Sequence, residues 1–350
     1  VQPYSRRYPL LLVGLATVLS ACGGSSSKPA DGLRLASFNL LPTVEGKSLV
    51  TRVSGNGVAT IGRRTDNRNP IFWLGLTGQQ EIPAPSGNSV DDLPSASLDA
   101  TQFVGTASNS TGVHAFLYSS ASGFTLLPDF AGSDAMNGID LNDNASIVLG
   151  SAFHLSGNDE AVQWRSGTLT ALPGLAPNTR AVPVALSGNG AYAAGQSNGF
   201  PVRWITGDTP GVIAISSNPG YADDISQDGS VIVGRTVTGS TASAFRWTAA
   251  DGAVPLGIDV PDPDVNRLGI SGDGKIIVGN LLDSTTHPFI WTVDKGYQDL
   301  ATELNWHGEP FGGLINVYVR DVSRDGKTLV GGGQDPTSSF VSRGWKLVLK

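Results

Sequence analysis

Charge is scarce in this chain: 23 basic and 30 acidic residues make up 15% of its 350 positions, where roughly a quarter is usual. With a net charge of −7, it is neither a disordered polyelectrolyte nor a nucleic-acid binder. A single cysteine excludes an internal disulfide. No apolar run approaches the roughly 20 residues a transmembrane helix needs. There is no zinc-type Cys or His spacing, no phosphate-cradling glycine loop ahead of a helix, and no nucleophile elbow. One methionine and 45 glycines exclude long helices and coiled coils. What is abundant is glycine, with seven tryptophans and 40% hydrophobic residues. That composition fits one large all-β body of short strands and tight turns, with enough apolar side chains to form its own core.

Residues 1–21 read as an address rather than as part of the fold. Arg6 and Arg7 form a positive n-region, Leu10–Leu19 an apolar stretch too short to span a bilayer, and Ser20-Ala21 the small residues before a cleavage site. The stretch Leu19-Ser20-Ala21-Cys22 resembles the bacterial lipobox, which implies lipidation of Cys22 and a lipoprotein signal peptide over 1–21. The alternative is an ordinary secretory signal with an accidental cysteine. Lipidation gives the lone thiol a use, and residues 22–33, rich in Gly and Ser, read as a flexible tether. With Gly23 rather than Asp after the cysteine, the lipobox resemblance implies the outer membrane, so the expected location is the bacterial cell envelope, with the membrane contacted only through the N-terminal lipid.

The rest of the chain, 34–350, is built from one repeated unit. Its clearest copies are Ile225-Ser226-Gln227-Asp228-Gly229 leading to Val233-Gly234 and Phe245-Arg246-Trp247, and Ile270-Ser271-Gly272-Asp273-Gly274 leading to Val278-Gly279 and Phe289-Ile290-Trp291. Seven copies close on Gly62, Gly105, Gly150, Gly195, Gly234, Gly279 and Gly331, about 45 residues apart, room for four short strands each. Counting back from each closing glycine, the sixth residue is always Asn or Asp, the eighth is Ser in all but one copy, and the ninth is aliphatic. Asx-Gly between apolar runs favours a tight hairpin, and the Ser can hydrogen-bond the turn backbone. The expectation is a seven-bladed β-propeller whose Trp73, Trp164, Trp204, Trp247, Trp291 and Trp345, with Tyr118, pack between blades. The last unit lacks the Leu-Pro strand seen at Leu127-Pro128 and Leu172-Pro173, and that piece stands ahead of the first unit at Leu35–Pro42. An N-terminal strand is therefore expected to close the ring.

The unit I-S-x-D-G-x-x-x-V-G, followed by A-F-x-W and a G-x-x-x-L tail, resembles the HAF-type extracellular repeat of bacteria. The likeness is strongest over 221–300 and traceable over 34–350. It implies an exported, propeller-like body and supplies no catalytic residue. The early units depart from the pattern, with Ala100 and Ala145 in place of the turn glycine.

Candidates for chemistry are few. His114, His154, His287 and His307 are scattered over different units. Asn56, Asp99, Asn144, Asn189, Asp228, Asp273 and Asp325 line one rim, but each turn offers at most one carboxylate, too few to close a calcium cage, and turn geometry explains them. No metal or cofactor is expected. Residues 299–316 break the repeat and carry Trp306, the one tryptophan outside the blade pattern, beside His307 and Glu309, with Asp299 and Glu303 upstream. Such an insert is either a ligand-binding surface of Trp306, His307 and Glu309 or a cap packed for closure. Asp140, Asp224 and Asp321, placed ahead of the first strand of their units, are candidates for acids converging in a central channel. The leading reading is a lipid-anchored binding or scaffold module for an envelope protein, without catalytic residues. The alternatives are a surface adhesin or glycan binder, and an envelope glycan hydrolase or lyase with a channel active site.

Overall fold

The repeat signature becomes structure at one hydrogen-bonded turn. In a computed structural model, which describes residues 33–43, 48–239, 241–260, 267–282, 286–339 and 341–350, Ser226 Oγ accepts from the Val231 N–H at 3.0 Å and donates to Asp228 Oδ1 at 2.9 Å. That carboxylate in turn accepts from the Ser230 N–H at 2.9 Å. Ser54, Ser97, Ser187, Ser271 and Ser323 repeat the arrangement with Asn56, Asp99, Asn189, Asp273 and Asp325. Asn142 substitutes its amide for the hydroxyl. The turn glycine is left-handed, as at Gly229 (φ 74°), and Ala100 and Ala145 adopt the same hand at φ 60° and 53°. The leader expected over 1–21, Cys22 and the tether as far as residue 32 lie outside the described residues.

Antiparallel meanders follow one another along the chain. The fourth repeat comprises Ala181–Leu186, Tyr192–Ser197, Phe200–Ile205 and Gly211–Ala214; the fifth Gly220–Ile225, Val231–Thr238, Thr241–Thr248 and Gly252–Val260; the sixth Gly269–Ile270, Ile276–Leu282, Thr286–Thr292 and Gly296–Asp299. The second (Ser89–Ala96, Gln102–Asn109, Gly112–Ser119, Gly123–Leu126) and third (Ala135–Leu141, Ile147–Phe153, Glu160–Arg165, Thr168–Ala171) share an eight-stranded sheet through one parallel pair, Val113 with Ala135. The first keeps three strands, Ser48–Val53, Ala59–Arg64 and Pro70–Leu74, with Phe72 bridged to Gln80. The last, Ile315–Val322, Thr328–Asp335 and Val341–Leu349, takes Leu35–Leu40 as its outer strand. Five of the sheets hold four or more strands, and the whole is an all-β, β-propeller arrangement.

The closing glycines are explained by close approach rather than by turn geometry. All of the inner strands but the sixth slip register one residue before their penultimate position or just ahead of it, a bulge that drives a carbonyl against the second strand. A Cβ on Gly234 would press on the Tyr221 carbonyl and come within 2.8 Å of Phe245 Cζ; one on Gly331 would meet the Tyr318 carbonyl and lie 2.5 Å from Trp345 Cζ2. Bulge, glycine and third-strand aromatic form one packing unit.

Apolar side chains are buried between repeats rather than within them. Ala185 and Ala194 of the fourth repeat pack on Ile225, Phe245 and Trp247 of the fifth, and Leu41, Ile71 and Trp73 meet Val330 where the last repeat adjoins the first. The indole N–H of Trp164 donates to Pro128 at 2.8 Å and that of Trp204 to Pro173 at 2.7 Å, in each case the proline that follows the preceding repeat's outer strand. Trp73 makes the same bond to Pro42 at 2.6 Å, directly after Leu35–Leu40. The N-terminal strand thus occupies the place an outer strand holds elsewhere.

Candidate functional site

The axis is the first place to look for chemistry, because every inner strand ends there. The tenth residue before each closing glycine is, in order, Arg52, Ser95, Asp140, Ala185, Asp224, Gly269 and Asp321. Each is the penultimate residue of its inner strand. The three aspartates therefore lie within the inner strands, not ahead of them as the sequence suggested, because the bulge lengthens each strand by a residue. They do converge: with Arg52, Ser95 and Arg324 they line one axial cavity of about 50 Å³.

Each carboxylate ties two repeats together. Asp140 accepts from the Leu141 N–H at 2.8 Å and from the Leu186 N–H of the next repeat at 2.7 Å, and Ser95 Oγ donates to it at 2.6 Å. Asp224 accepts from Ile225 (2.8 Å) and Ile270 (2.9 Å), and Asp321 from Val322 (2.9 Å) and, across the closing junction, Val53 (3.0 Å). The acids alternate with small residues because Ala185 and Gly269 leave room; a Cβ on Gly269 would already be 3.2 Å from Asp321 Oδ1.

One layer further along the axis, the turns join in a circle. Backbone N–H groups of Asn56, Leu98, Asp143, Asn189, Gln227, Gly272 and Asp325 each donate to the following repeat, the last returning to Gly55, at 2.8–3.4 Å. Across this circle Arg324 reaches Asp143 (Nε to Oδ1, 3.0 Å) and the Leu186 carbonyl (3.2 Å), and the Gln227 amide donates to Asp143. These side chains stopper that end of the axis.

Desolvation dominates the electrostatics. Burial pushes the Asp321 carboxyl up to about 7 against the opposing pull of Arg52, with Asp224 raising it further. Asp224 is half-buried by area but deep enough that the same cause raises it, again opposed by Arg52. Burial also works against the Arg52 charge, yet the fields of Asp321, Asp224, Asp140 and Asp223 outweigh it and hold the guanidinium above its ordinary value. Beyond this layer lies a buried ion pair, Arg235 Nη2 to Asp223 Oδ1 at 2.6 Å.

The opposite face carries the hairpins between second and third strands and the connections between repeats. There the insert holds a short helix, Leu300–Glu303, capped by Asp299, and a 3-10 turn, Pro310–Gly313. Trp306 is half-buried, edge-on to Phe38 (5.1 Å between centroids) and tilted against Phe311 (4.8 Å), which in turn meets Trp345. His307 and Glu309 beside it are exposed; Glu303 pairs with Lys295 at 2.5 Å. The structure thus joins Trp306 to the aromatic seal over the N-terminal strand and leaves its two polar neighbours in solvent. His114, at the start of a third strand, lies between Thr111 and Asp129. The rim Asx residues are engaged in their turns, and among the described residues no group of three or more His, Cys, Asp or Glu could hold a metal ion.

Sequence reasoning missed a second feature of this face. A groove of about 720 Å³ runs between the third and fourth repeats, lined by Leu175, Pro173, Pro177, His154 and Glu160 among others. His154 Nε2 lies 3.1 Å from Glu160 Oε2. Between its lining residues His154 and Ser156, Leu155 is 80% exposed, yet its N–H is held by Asp134 Oδ2 at 2.8 Å, and the Gly157 N–H closes a tight turn on the His154 carbonyl at 2.8 Å. The signal available in sequence was Leu172–Pro177, a connection with two prolines.

No protein-family model and no curated protein matches the chain. Among solved structures it is similar to TolB from Acinetobacter baumannii (16% identity, TM-score 0.45, 71% of this chain and 61% of that one) and to a putative TolB from Agrobacterium tumefaciens (13%, 0.43, 59% and 79%). It is also similar to a chain from a structural and mechanistic study of two prolyl endopeptidases (11%, TM-score 0.58, 88% of this chain and 50% of that one). The chain thus spans 61% of the first TolB and half of the endopeptidase chain. At 11% identity the endopeptidase likeness shows a shared fold alone.

Proposed function

We propose that this protein is a lipid-anchored, seven-bladed β-propeller of the bacterial cell envelope that binds a protein partner through the face bearing the groove. The observation that carries the binding reading is the groove itself, about 720 Å³ and lined by Pro173, Leu175 and Pro177, with the exposed Leu155 standing in the chain between two of its lining residues, His154 and Ser156, on backbone fixed by Asp134. Concave clefts lined by apolar side chains with a few polar groups are the usual places for a ligand or a partner segment to lodge. The axial acids support a structural role, since both oxygens of Asp140, Asp224 and Asp321 are occupied by backbone N–H groups of two repeats. Seven blades are supported by the closed circle of turn hydrogen bonds, and membership of the HAF-type repeats by the same turn signature. The anchor rests on Leu19–Cys22, with residues 1–21 as signal peptide, 22–33 as tether and the outer membrane as destination. No helix among the described residues is long and apolar enough to cross a membrane.

A second reading, glycan binding by Trp306, His307 and Glu309, is favoured by the half-exposed indole followed in the chain by two exposed polar side chains. Affinity capture from envelope fractions separates the two. The protein-binding reading expects a co-purifying protein lost in Leu155→Asp and kept in Trp306→Ala. The reverse pattern, with retention on a glycan array, would favour the second, and identical capture by all variants would overturn both. Cys22→Ser should release the protein from membranes; continued membrane retention would contradict lipidation.

A further inference from the structure

A carboxylate ring that closes a propeller can also report the proton concentration around it. The closing junction, where Asp321 of the last repeat accepts from Val53 of the first, opens onto the axial cavity that Arg52, Asp140 and Asp224 also line. Asp321 is 5% exposed and faces every other inner strand: Arg52 of the first, Asp140 of the third and Asp224 of the fifth are charged, whereas Ser95, Ala185 and Gly269 of the second, fourth and sixth are not. Arg324, from its own turn, is drawn away by Asp143, and the Asp223–Arg235 pair satisfies itself. Three carboxylates therefore share Arg52 inside a cavity of about 50 Å³, room for little more than one or two waters to screen them. Among the described residues Arg52 makes no close ion pair, so the acids face one another across the axis while each holds its backbone donors.

We propose that Asp321, with Asp224, is a proton-operated lock on ring closure, protonated and tight in mildly acidic surroundings and ionised and loosened at and above neutrality. The sign follows from linkage. Closed, the Asp321 carboxyl titrates at about 7; opened to water, it returns toward 3.8. Between those values opening releases a proton, so the opening equilibrium rises about tenfold per pH unit and levels off above neutrality. Protonated on Oδ1, Asp321 gives up the local bond from Val322, keeps Oδ2 as acceptor of the Val53 N–H across the junction, and no longer repels Asp224. The junction affected is the one the N-terminal strand seals, so loosening there reaches Leu35–Leu40 and the Phe38–Trp306 contact.

The test is native-state hydrogen exchange of the full chain at pH 5 and pH 7.5, corrected for the intrinsic pH dependence of amide exchange. Peptides covering Ser48–Val53 and Ile315–Val322 should lose protection by about a hundredfold from the lower to the higher pH, as one released proton requires over this window. Asp321→Asn, which keeps an acceptor and removes the charge, should abolish that dependence and be at least as protected as wild type at pH 7.5. Flat wild-type protection, or an unchanged slope in Asp321→Asn, would overturn the proposal. Should Asp321→Asn fail to fold, the wild-type profile decides by itself: a slope supports the lock and a flat profile refutes it.

Discussion

Replacing the closing glycine of the fifth repeat by alanine tests the packing unit shared by every repeat but the sixth. Gly234 sits where the Tyr221 carbonyl, just ahead of the bulge at Asp223, and the Phe245 ring converge; a methyl there would crowd that carbonyl, stand 2.8 Å from Phe245 Cζ and 2.9 Å from Ala222 Cα. Phe245 is 1% exposed and Ala222 fully buried, so neither can yield without opening the core shared with the fourth repeat. Two of the three obstacles are backbone, which places the cost at or above the upper end of the ~1–3 kcal/mol typical of overpacking. The gain from restricting the unfolded chain, about 0.4–1 kcal/mol, offsets only part of it. At about 1.5 °C per kcal/mol, the scale for a body of more than 300 residues, the melting temperature should fall by roughly 3–5 °C. Gly78 is the control, since a methyl there meets nothing within 4 Å and its φ is not left-handed, and Gly78→Ala should be neutral or slightly stabilising. Thermal unfolding followed by circular dichroism decides: equal melting temperatures for the two variants would refute the close-approach explanation of the repeat glycine.

Three further outcomes follow from the same geometry. Asp223 and Arg235 are each 2% exposed, so Arg235→Met should cost about 3–5 kcal/mol in urea unfolding while the double variant with Asp223→Leu recovers most of it. Ala145 holds a turn at φ 53°, so Ala145→Gly should stabilise by up to ~1 kcal/mol, the relief of left-handed strain less the entropy of the added glycine. Hydrogen bonds from Ser97 and Thr101 hold the Asp99 carboxyl below its ordinary value, and those from Ser230 and Ser226 hold Asp228 there despite partial desolvation. Their contribution is present above the unfolded value of 3.8 and lost as pH falls through the depressed ones, so acid unfolding below pH 4 should be shallower in Asp228→Asn than in wild type.

The turns were legible because they are local. Ser, Asx and Gly at fixed offsets encode a hydrogen-bond pattern that needs no distant residue, and Leu35–Pro42 could be recognised as a displaced outer strand by the same Leu-Pro ending that receives an indole elsewhere. Asp140, Asp224 and Asp321 could be named as candidates from their shared register, but neither their convergence nor the presence of Arg52 among them was legible, because the tenth position before the glycine varies in every property and only closure shows that it faces the axis. The groove at Leu155 was not legible at all. It is made by a hairpin of the third repeat and a connection to the fourth, and no periodicity links the two. Trp306 stood out by being off pattern, yet its contact with Phe38 joins residues at opposite ends of the chain.

The reading of the groove-bearing face as the partner surface can be tested residue by residue with a photo-crosslinking amino acid in living cells. Leu155 and Val293 are both exposed, at 80% and 53%, but Leu155 follows a second strand and Val293 a third, so they lie on opposite faces of the ring. The account predicts a discrete protein adduct from position 155 and none from position 293. Adducts of the same identity from both positions, or from position 293 alone, would contradict it.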